Sequence, residues 1–147
     1  MLLCFLDPNN SFIWIGATDT AHEGVFRWTS DLSEINENTF MNWNNYEPNN
    51  GAGSGVPENC VFLTENRQWN DVLCSGAVKF LCQFTTTRSM SHCLKYGAER
   101  RCYKFVNERK SMADANAYCG SNFGGNLAEV ANSEIDEFVS LLIQGML

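Results

Sequence analysis

Two short motifs, Glu47-Pro48-Asn49 and Trp69-Asn70-Asp71, frame the stretch around which the chain is organised. Between them lie a glycine-rich loop and a further acid, Glu58. Ca²⁺ takes six to eight oxygen ligands and tolerates irregular geometry, so acids and amides gathered in loops suit it. The predicted calcium ligands, which all carry a carboxylate or an amide, are Glu47, Asn49, Glu58, Asn70 and Asp71.

The composition is that of one globular domain. The chain has 147 residues, of which 44% are apolar and 18% are charged, enough for a single domain with a hydrophobic core. The formal net charge of −7 argues against a nucleic-acid surface and mildly favours cation binding. No apolar run approaches the length of a membrane span, so we predict no membrane insertion.

Seven cysteines are many for this length, and no two of them have C-x-x-C spacing. With only two histidines, disulfides in an oxidising compartment explain them better than a zinc site does. Asn9-Asn10-Ser11 is a glycosylation sequon, so we expect a secreted or extracellular protein. The apolar residues 1–6 lack the features of a signal peptide, which leaves open a trimmed signal or a segment of a longer protein.

The first part of the chain is predicted to form strands joined by loops. Short apolar runs indicate strands at residues 11–16, 25–28 and 59–63. Residues 77–84 alternate, which predicts a half-buried strand with Lys79 and Gln83 on its outer face. Residues 30–50 are expected to form a long ordered loop anchored by aromatic residues, among them Tyr46.

The second part differs in pattern, and residues 85–91 resemble a linker between the two. Cys93 and Cys102 bracket a predicted hairpin. Ser111 and Ser133 each precede an acid by three residues, which predicts two capped helices. Apolar residues in the second helix recur at i, i+3, i+4 and i+7, which is typical of an amphipathic helix.

These motifs together resemble the C-type lectin-like domain. Trp14-Ile15-Gly16, the Glu-Pro-Asn and Trp-Asn-Asp motifs and the cysteines at 60, 74 and 82 are similar to its second half. Residues 93–143, with a disulfide hairpin and two helices, are similar to its first half. The resemblance covers nearly the whole chain and implies an α+β fold of two helices, small antiparallel sheets and a long loop region.

The two halves stand in the reverse of the family order. Residues 1–84 correspond to the C-terminal half, 85–91 to a linker and 92–147 to the N-terminal half, and we expect one closed domain. The family's domain ends lie side by side, so a short linker can join them at small entropic cost. A circular permutant, a segment of a tandem array and two chains exchanging halves all remain open.

The resemblance also implies the disulfide pairing, which the sequence alone leaves undetermined. The implied bridges are Cys60–Cys74, Cys82–Cys119 and Cys93–Cys102. Cys4 is left over, either as a free thiol or as a bridge to a second chain in a homo-oligomer.

Sugar binding at the calcium ion is the function that the resemblance implies. Carboxylates accept hydrogen bonds from sugar hydroxyls, and amide NH₂ groups donate to them. In the family, Glu-Pro-Asn goes with mannose, fucose, glucose and N-acetylglucosamine, and Gln-Pro-Asp with galactose. We therefore expect binding to mannose-type glycans on cell or microbial surfaces, and a cis peptide bond before Pro48. The loop of residues 50–57 is longer than is usual in the family.

A second calcium site is also implied, with fewer charges than the family commonly has. Amides stand at residues 50 and 59, where carboxylates are common in the family. The implied ligands are Asp19, Glu23, Asn50, Glu58 and Asn59.

The alternative to sugar binding is a lectin-like module for protein interaction or ice binding. We do not predict an enzyme, because the sequence has no nucleophile elbow, phosphate loop or His-Glu zinc motif. Glu47 and Glu58 could be imagined as an acid/base pair for glycoside hydrolysis. A shared calcium ion would hold both ionised, however, and neither would then be a good general acid.

Overall fold

The computed structural model describes residues 12–145. The elements are β1 (Ile13–Thr18), β2 (Arg27–Trp28), β3 (Cys60–Leu63), β4 (Trp69–Val72), β5 (Val78–Thr86), β6 (Cys93–Tyr96), β7 (Glu99–Lys110), α1 (Met112–Phe123), β8 (Asn126–Leu127) and α2 (Ser133–Ile143). A short 3₁₀ turn lies at Asn50–Gly53. The expectations for Cys4, for the sequon and for residues 1–6 fall outside the described residues.

The strands form one mixed sheet in the order β4-β3-β1-β5-β7-β6, with β2 on β1 and β8 on β5. The α+β class and the two helices are as predicted. The sheet differs from the expected small antiparallel sheets, because β1 pairs with β5 in parallel at Ile13 and Trp14. That pairing joins the two ends of the first part of the chain, residues near 13 and residues near 79.

Strand β5 is the element through which the two parts of the chain meet. It pairs antiparallel with β7 from Val78, opposite Lys110, to Thr86, opposite Arg100. A disulfide between Cys82 of β5 and Cys119 of α1 ties the same strand to the first helix. The other two implied bridges, within β3–β4 and the β6–β7 hairpin, are also present.

The prediction that β5 is half-buried is wrong, because both of its faces are covered. Gln83, expected on the outer face, is only 8% exposed, and Leu81 is fully buried. The segment after α1 covers them: the Ala128 N–H donates to the Leu81 carbonyl, and the Glu129 N–H donates to Gln83 Oε1. β5 also continues to Thr86, two residues into the expected linker.

Two hydrophobic clusters lie on opposite faces of the sheet. Successive residues of a strand point to opposite faces, so Ile13 and Ile15 pack in the cluster below α2, and Trp14 packs in the cluster below α1. Trp69 lies in the first cluster and makes edge contacts with the rings of Phe40 and Trp43. These two aromatics hold the long loop of residues 30–50 against the core, as predicted.

Tyr46 does not anchor that loop, contrary to the expectation. Its side chain is 96% exposed. The backbone turns sharply there, with φ of 66°, immediately before Glu47. The turn leaves the ring in solvent beside the Glu-Pro-Asn motif.

The N-cap residue of α1 is the predicted one, whereas the N-cap of α2 lies one residue before the predicted serine. The Ser111 hydroxyl accepts the Asp114 N–H at the start of α1, and Gly124 ends the helix with φ of 66°, a value that glycine adopts without strain. Asn132, not Ser133, caps α2, because its side chain accepts the Ile135 N–H at 2.9 Å. Within residues 12–145, neither helix is long and apolar enough to cross a bilayer.

We expect loss of the Cys82–Cys119 bridge to cost more stability than loss of Cys93–Cys102. Their sequence separations are 37 and 9 residues. Loop-closure entropy then gives about 4 and about 3 kcal/mol respectively. The buried Cys82 and Cys119 would also lose packing when replaced by alanine. Urea unfolding of the two double-alanine variants measures the difference. Equal free energies of unfolding would contradict the role given to β5 and α1.

Candidate functional site

Asp71 is the buried centre of the candidate site. It lies on β4, opposite Val61 of β3, and is 1% exposed. Its two carboxylate oxygens accept the backbone N–H groups of Asn49 (3.0 Å) and Asn50 (2.8 Å). Asp71 therefore fixes the loop that follows Pro48 against the edge of the sheet. A carboxylate oxygen can accept more than one hydrogen bond, so this role leaves lone pairs for a cation.

Glu47 and Asn49 lie together beside Asp71. The Asn49 Nδ2 donates to Glu47 Oε1 at 2.6 Å. Glu47 Oε2 and Asn49 Oδ1 are buried and have no hydrogen-bond partner. The predicted cis peptide bond between Glu47 and Pro48 is present. The motif thus contributes two unpaired oxygens, one from an acid and one from an amide.

The long loop is folded, and it brings Glu58 to the same region. Glu58 Oε2 accepts the Gly51 N–H at 2.9 Å, and the Glu58 N–H donates to Asn50 Oδ1 at 2.8 Å. Gly51 has φ of 73°, and a Cβ there would lie 2.7 Å from the Val56 carbonyl oxygen, so only glycine fits. The sequence showed the glycines but did not indicate that the Gly51 N–H holds Glu58.

Burial and like charges raise the pKa of two of these acids. Burial is the largest cause of the rise in the Glu47 pKa to about 7, followed by the neighbouring Asp71 carboxylate, and the hydrogen bond from Asn49 opposes the rise. Burial also raises the pKa of Glu58, with a further contribution from the Asp71 charge, and the Gly51 N–H opposes it. The three carboxylates are close enough to repel one another, and a bound cation would relieve that repulsion.

Asn70 is joined to this group through the main chain. It lies on β4 opposite Phe62, and its Nδ2 donates to the Asp71 carbonyl at 3.0 Å. This bond fixes the orientation of the amide group. Asp71 thus contacts Asn70 through its carbonyl and Asn49 through its carboxylate.

The second predicted set is held around Asp19, just after β1. Asp19 is 2% exposed, and its Oδ2 accepts the Gly24 N–H at 2.8 Å. Asp19 Oδ1 and Asn59 Oδ1 are buried and unpaired. The pKa of the exposed Glu23 is raised by partial desolvation and then by the Asp19 charge, and Asn50 opposes the rise. The Glu58 N–H donates to Asn50 Oδ1, and Glu58 belongs to both predicted sets, so this contact links the second set to the first.

The unpaired oxygens provide the test of whether calcium fits. Seven buried side-chain N or O atoms lack a partner within the described residues. Four of them are predicted ligand oxygens, from Glu47, Asn49, Asp19 and Asn59. An unsatisfied buried polar atom costs about 1–3 kcal/mol, so a cation in contact with these oxygens would be stabilising. Over the same residues, no three His, Cys, Asp or Glu side chains are grouped to hold a metal, so both sets depend on amide oxygens.

Comparison with known proteins assigns the family. The model of the Lectin C-type domain matches residues 2–84, more than half of the chain. The chain therefore belongs to the C-type lectin domain family. The domains of this family are non-enzymatic carbohydrate-binding modules that typically bind calcium, although many of them do not bind sugar. Residues 85–147 lie outside the match.

Similar solved structures are also C-type lectin domains. The carbohydrate-recognition domain of the mouse scavenger receptor C-type lectin is 36% identical over 44% of this chain and 48% of its own, with a TM-score of 0.38. The cow domain of CD23, determined with a GlcNAc2Man3 oligosaccharide, is 25% identical over 67% and 57%, with a TM-score of 0.41. The human scavenger receptor C-type lectin domain is 26% identical over 66% and 57%, with a TM-score of 0.41. The chain thus spans about half the length of the structures that it matches.

We predict that Glu47→Gln weakens Ca²⁺ binding at least roughly tenfold, since loss of even an outer partner of a metal ligand commonly costs that much. The exchange removes one of the three crowded charges and keeps the size of the side chain. Isothermal titration calorimetry with CaCl₂ measures the Ca²⁺ affinity of the variant and of the parent. The matched control is Glu65→Gln, at an exposed position in the turn between β3 and β4. If both variants bound Ca²⁺ like the parent, Glu47 would not be a ligand.

Proposed function

We propose that this domain binds mannose-type glycans through a Ca²⁺ ion held by oxygens of the first predicted set. That set is Glu47, Asn49, Glu58, Asn70 and Asp71. The observation that carries the proposal is the pair of buried, unpaired oxygens, Glu47 Oε2 and Asn49 Oδ1, beside the buried Asp71. The family match supports the coarser statement that the domain is a carbohydrate-binding module.

In this proposal, the acidic and the amide side chains have different roles. When bound, Ca²⁺ would supply coordination positions for two neighbouring sugar hydroxyls. Glu47 and Glu58 accept hydrogen bonds from those hydroxyls, and the amides of Asn49 and Asn70 donate to them. Asp71 positions the loop through its two backbone bonds and adds negative charge. The order of acid and amide around Pro48 then selects sugars with vicinal equatorial hydroxyls.

The second set extends the proposal to a second calcium ion. Its members are Asp19, Glu23, Asn50, Glu58 and Asn59. The unpaired oxygens of Asp19 and Asn59 support it, and Glu58 is common to both sets. An ion there would hold the loop of residues 50–57 to the segment that follows β1.

We also propose a domain organisation, which rests on strand pairing and a disulfide. Residues 1–84 and 92–147 are the two halves of one domain in permuted order, and residues 85–91 connect them. Pairing of β5 with β7 and the Cys82–Cys119 bridge within one chain support this arrangement. Three disulfides among the described residues support a secreted or extracellular location.

Retention on immobilised mannose tests the function. The protein should be retained in CaCl₂, released by EDTA and not displaced by free galactose. Asn70→Ala should abolish retention, whereas Asn66→Ala, an exposed asparagine in the β3–β4 turn, should not. Folded protein that passes through the column in CaCl₂ would contradict the proposal.

Exchanging the acid and the amide should change which sugar the domain prefers. In the double variant Glu47→Gln, Asn49→Asp, the number of carboxylates is kept while donor and acceptor positions are reversed. We expect preference to move from mannose toward galactose, measured by competition for the immobilised sugar. Unchanged mannose preference with Ca²⁺ binding intact would refute the donor–acceptor account.

A protein-interaction role is the second candidate, and exposed apolar side chains at the site favour it. Tyr46 is 96% exposed and Val56, in the long loop, is 47% exposed. Aromatic residues such as tyrosine are enriched in protein–protein interfaces. Retention on mannose that survives Tyr46→Ala and Val56→Ser would favour sugar over a protein partner at this surface.

A further inference from the structure

The charges of this chain are segregated along the sequence. Residues 79–110 contain eight of the ten Lys and Arg residues but only two of the seventeen Asp and Glu residues. This segment includes most of β5 and all of β6 and β7. The remainder of the chain, including both candidate calcium sites, is therefore strongly acidic.

Part of this positive charge lies on one face of the sheet. Lys95 of β6 is directly opposite Arg100 of β7, and Lys104 of β7 is opposite Cys82 of β5. Arg100 and Lys104 are four residues apart on one strand, so they point to the same side. That side carries α1, because Cys82 is bonded to Cys119. We call Lys95, Arg100 and Lys104 the basic face.

Within residues 12–145, no ion pair neutralises the cations of the basic face. Among the described residues, the ion pairs involve Arg27, Arg101 and Lys110, and none involves a residue of the basic face. Arg101 points to the opposite side, where it lies 3.8 Å from Glu129. Like charges directly opposite each other on paired strands are destabilising. The Lys95–Arg100 pair is therefore a repulsion that an anionic ligand would relieve.

The basic face is remote from the candidate calcium sites. β4, which carries Asn70 and Asp71, is one edge of the sheet, and β6 is the other. Five strand spacings of about 4.8 Å separate the two edges, or roughly 24 Å. A ligand on the basic face therefore need not touch calcium.

We propose that the basic face binds an anionic polysaccharide, of the sulfated class, independently of calcium. Charge complementarity selects a polyanion, because several cations fixed on a rigid sheet match a repeating chain of negative groups. A disulfide-bonded chain belongs in an oxidising compartment, whereas anionic phospholipids are concentrated in the cytoplasmic leaflet. The anionic partner available in an oxidising compartment is thus a polysaccharide rather than a lipid surface.

Binding to heparin in the presence of EDTA tests this proposal. Each cation of the basic face should contribute roughly fivefold to affinity at low salt. Lys95→Gln with Arg100→Gln should therefore weaken binding by about 25-fold, and each single variant by about fivefold. The control double variant, Arg27→Gln with Arg67→Gln, has the same net charge but alters residues outside the basic face. It should bind heparin like the parent protein.

Three results would overturn the proposal. One is equal weakening by the two double variants, which would mean that net charge alone decides binding. Another is loss of heparin binding in EDTA while the fold persists by circular dichroism, which would place the ligand at a calcium site. The last is tighter binding to vesicles of equimolar phosphatidylcholine and phosphatidylserine than to heparin. The single variants keep the test decisive if the double variant unfolds. Mannose retention is measured separately, so failure of either proposal is distinguishable from failure of the other.

Discussion

The antiparallel pairing of β5 with β7 is the contact on which the rest of the structure depends. It joins strands that are distant from the calcium motifs to those that carry them, through the parallel neighbour β1. Both hydrophobic clusters form around it, since Leu81 of β5 packs in one and Phe80 in the other. Cys82 then fixes α1 to the same strand. The candidate site lies at the β4 edge of this same sheet.

The same sheet keeps opposite charges apart. Buried and partly buried acids gather at the β4 edge, where Asp71 is fixed by two backbone bonds. Burial, and after it the Asp71 carboxylate, raises the pKa of Glu47 and Glu58 there. The cations of the basic face, which form no ion pair with the residues that the structure describes, lie toward the β6 edge. Each cluster of like charge costs folding free energy, and a ligand of the opposite sign would lower that cost. The two proposals therefore predict that ligand binding at either edge of the sheet stabilises the fold.

Much of the fold could be predicted because motifs and cysteines recur at recognisable positions, and apolar patterns mark strands and helices. The sequence could not reveal which segments cover each face of the sheet. Gln83 alternates like an outward residue, yet Glu129, 46 positions away, lies over it. Asn132 and Ser133 are both good caps, and only the extended backbone at Asn132 decides between them. In the site, residue types indicated the ligands, whereas the unpaired oxygens of Glu47 and Asn49 depend on the fold of the loop.

The central claim is that oxygens of Glu47 and Asn49 bind calcium and present it to a sugar. Anomalous diffraction from crystals grown with CaCl₂ and mannose tests it most directly. The account predicts an anomalous peak within about 2.3–2.6 Å of Glu47 Oε2 and Asn49 Oδ1, the usual Ca²⁺–oxygen range, with two vicinal mannose hydroxyls completing the shell. Mannose density elsewhere, or no peak at these oxygens at saturating CaCl₂, would contradict it.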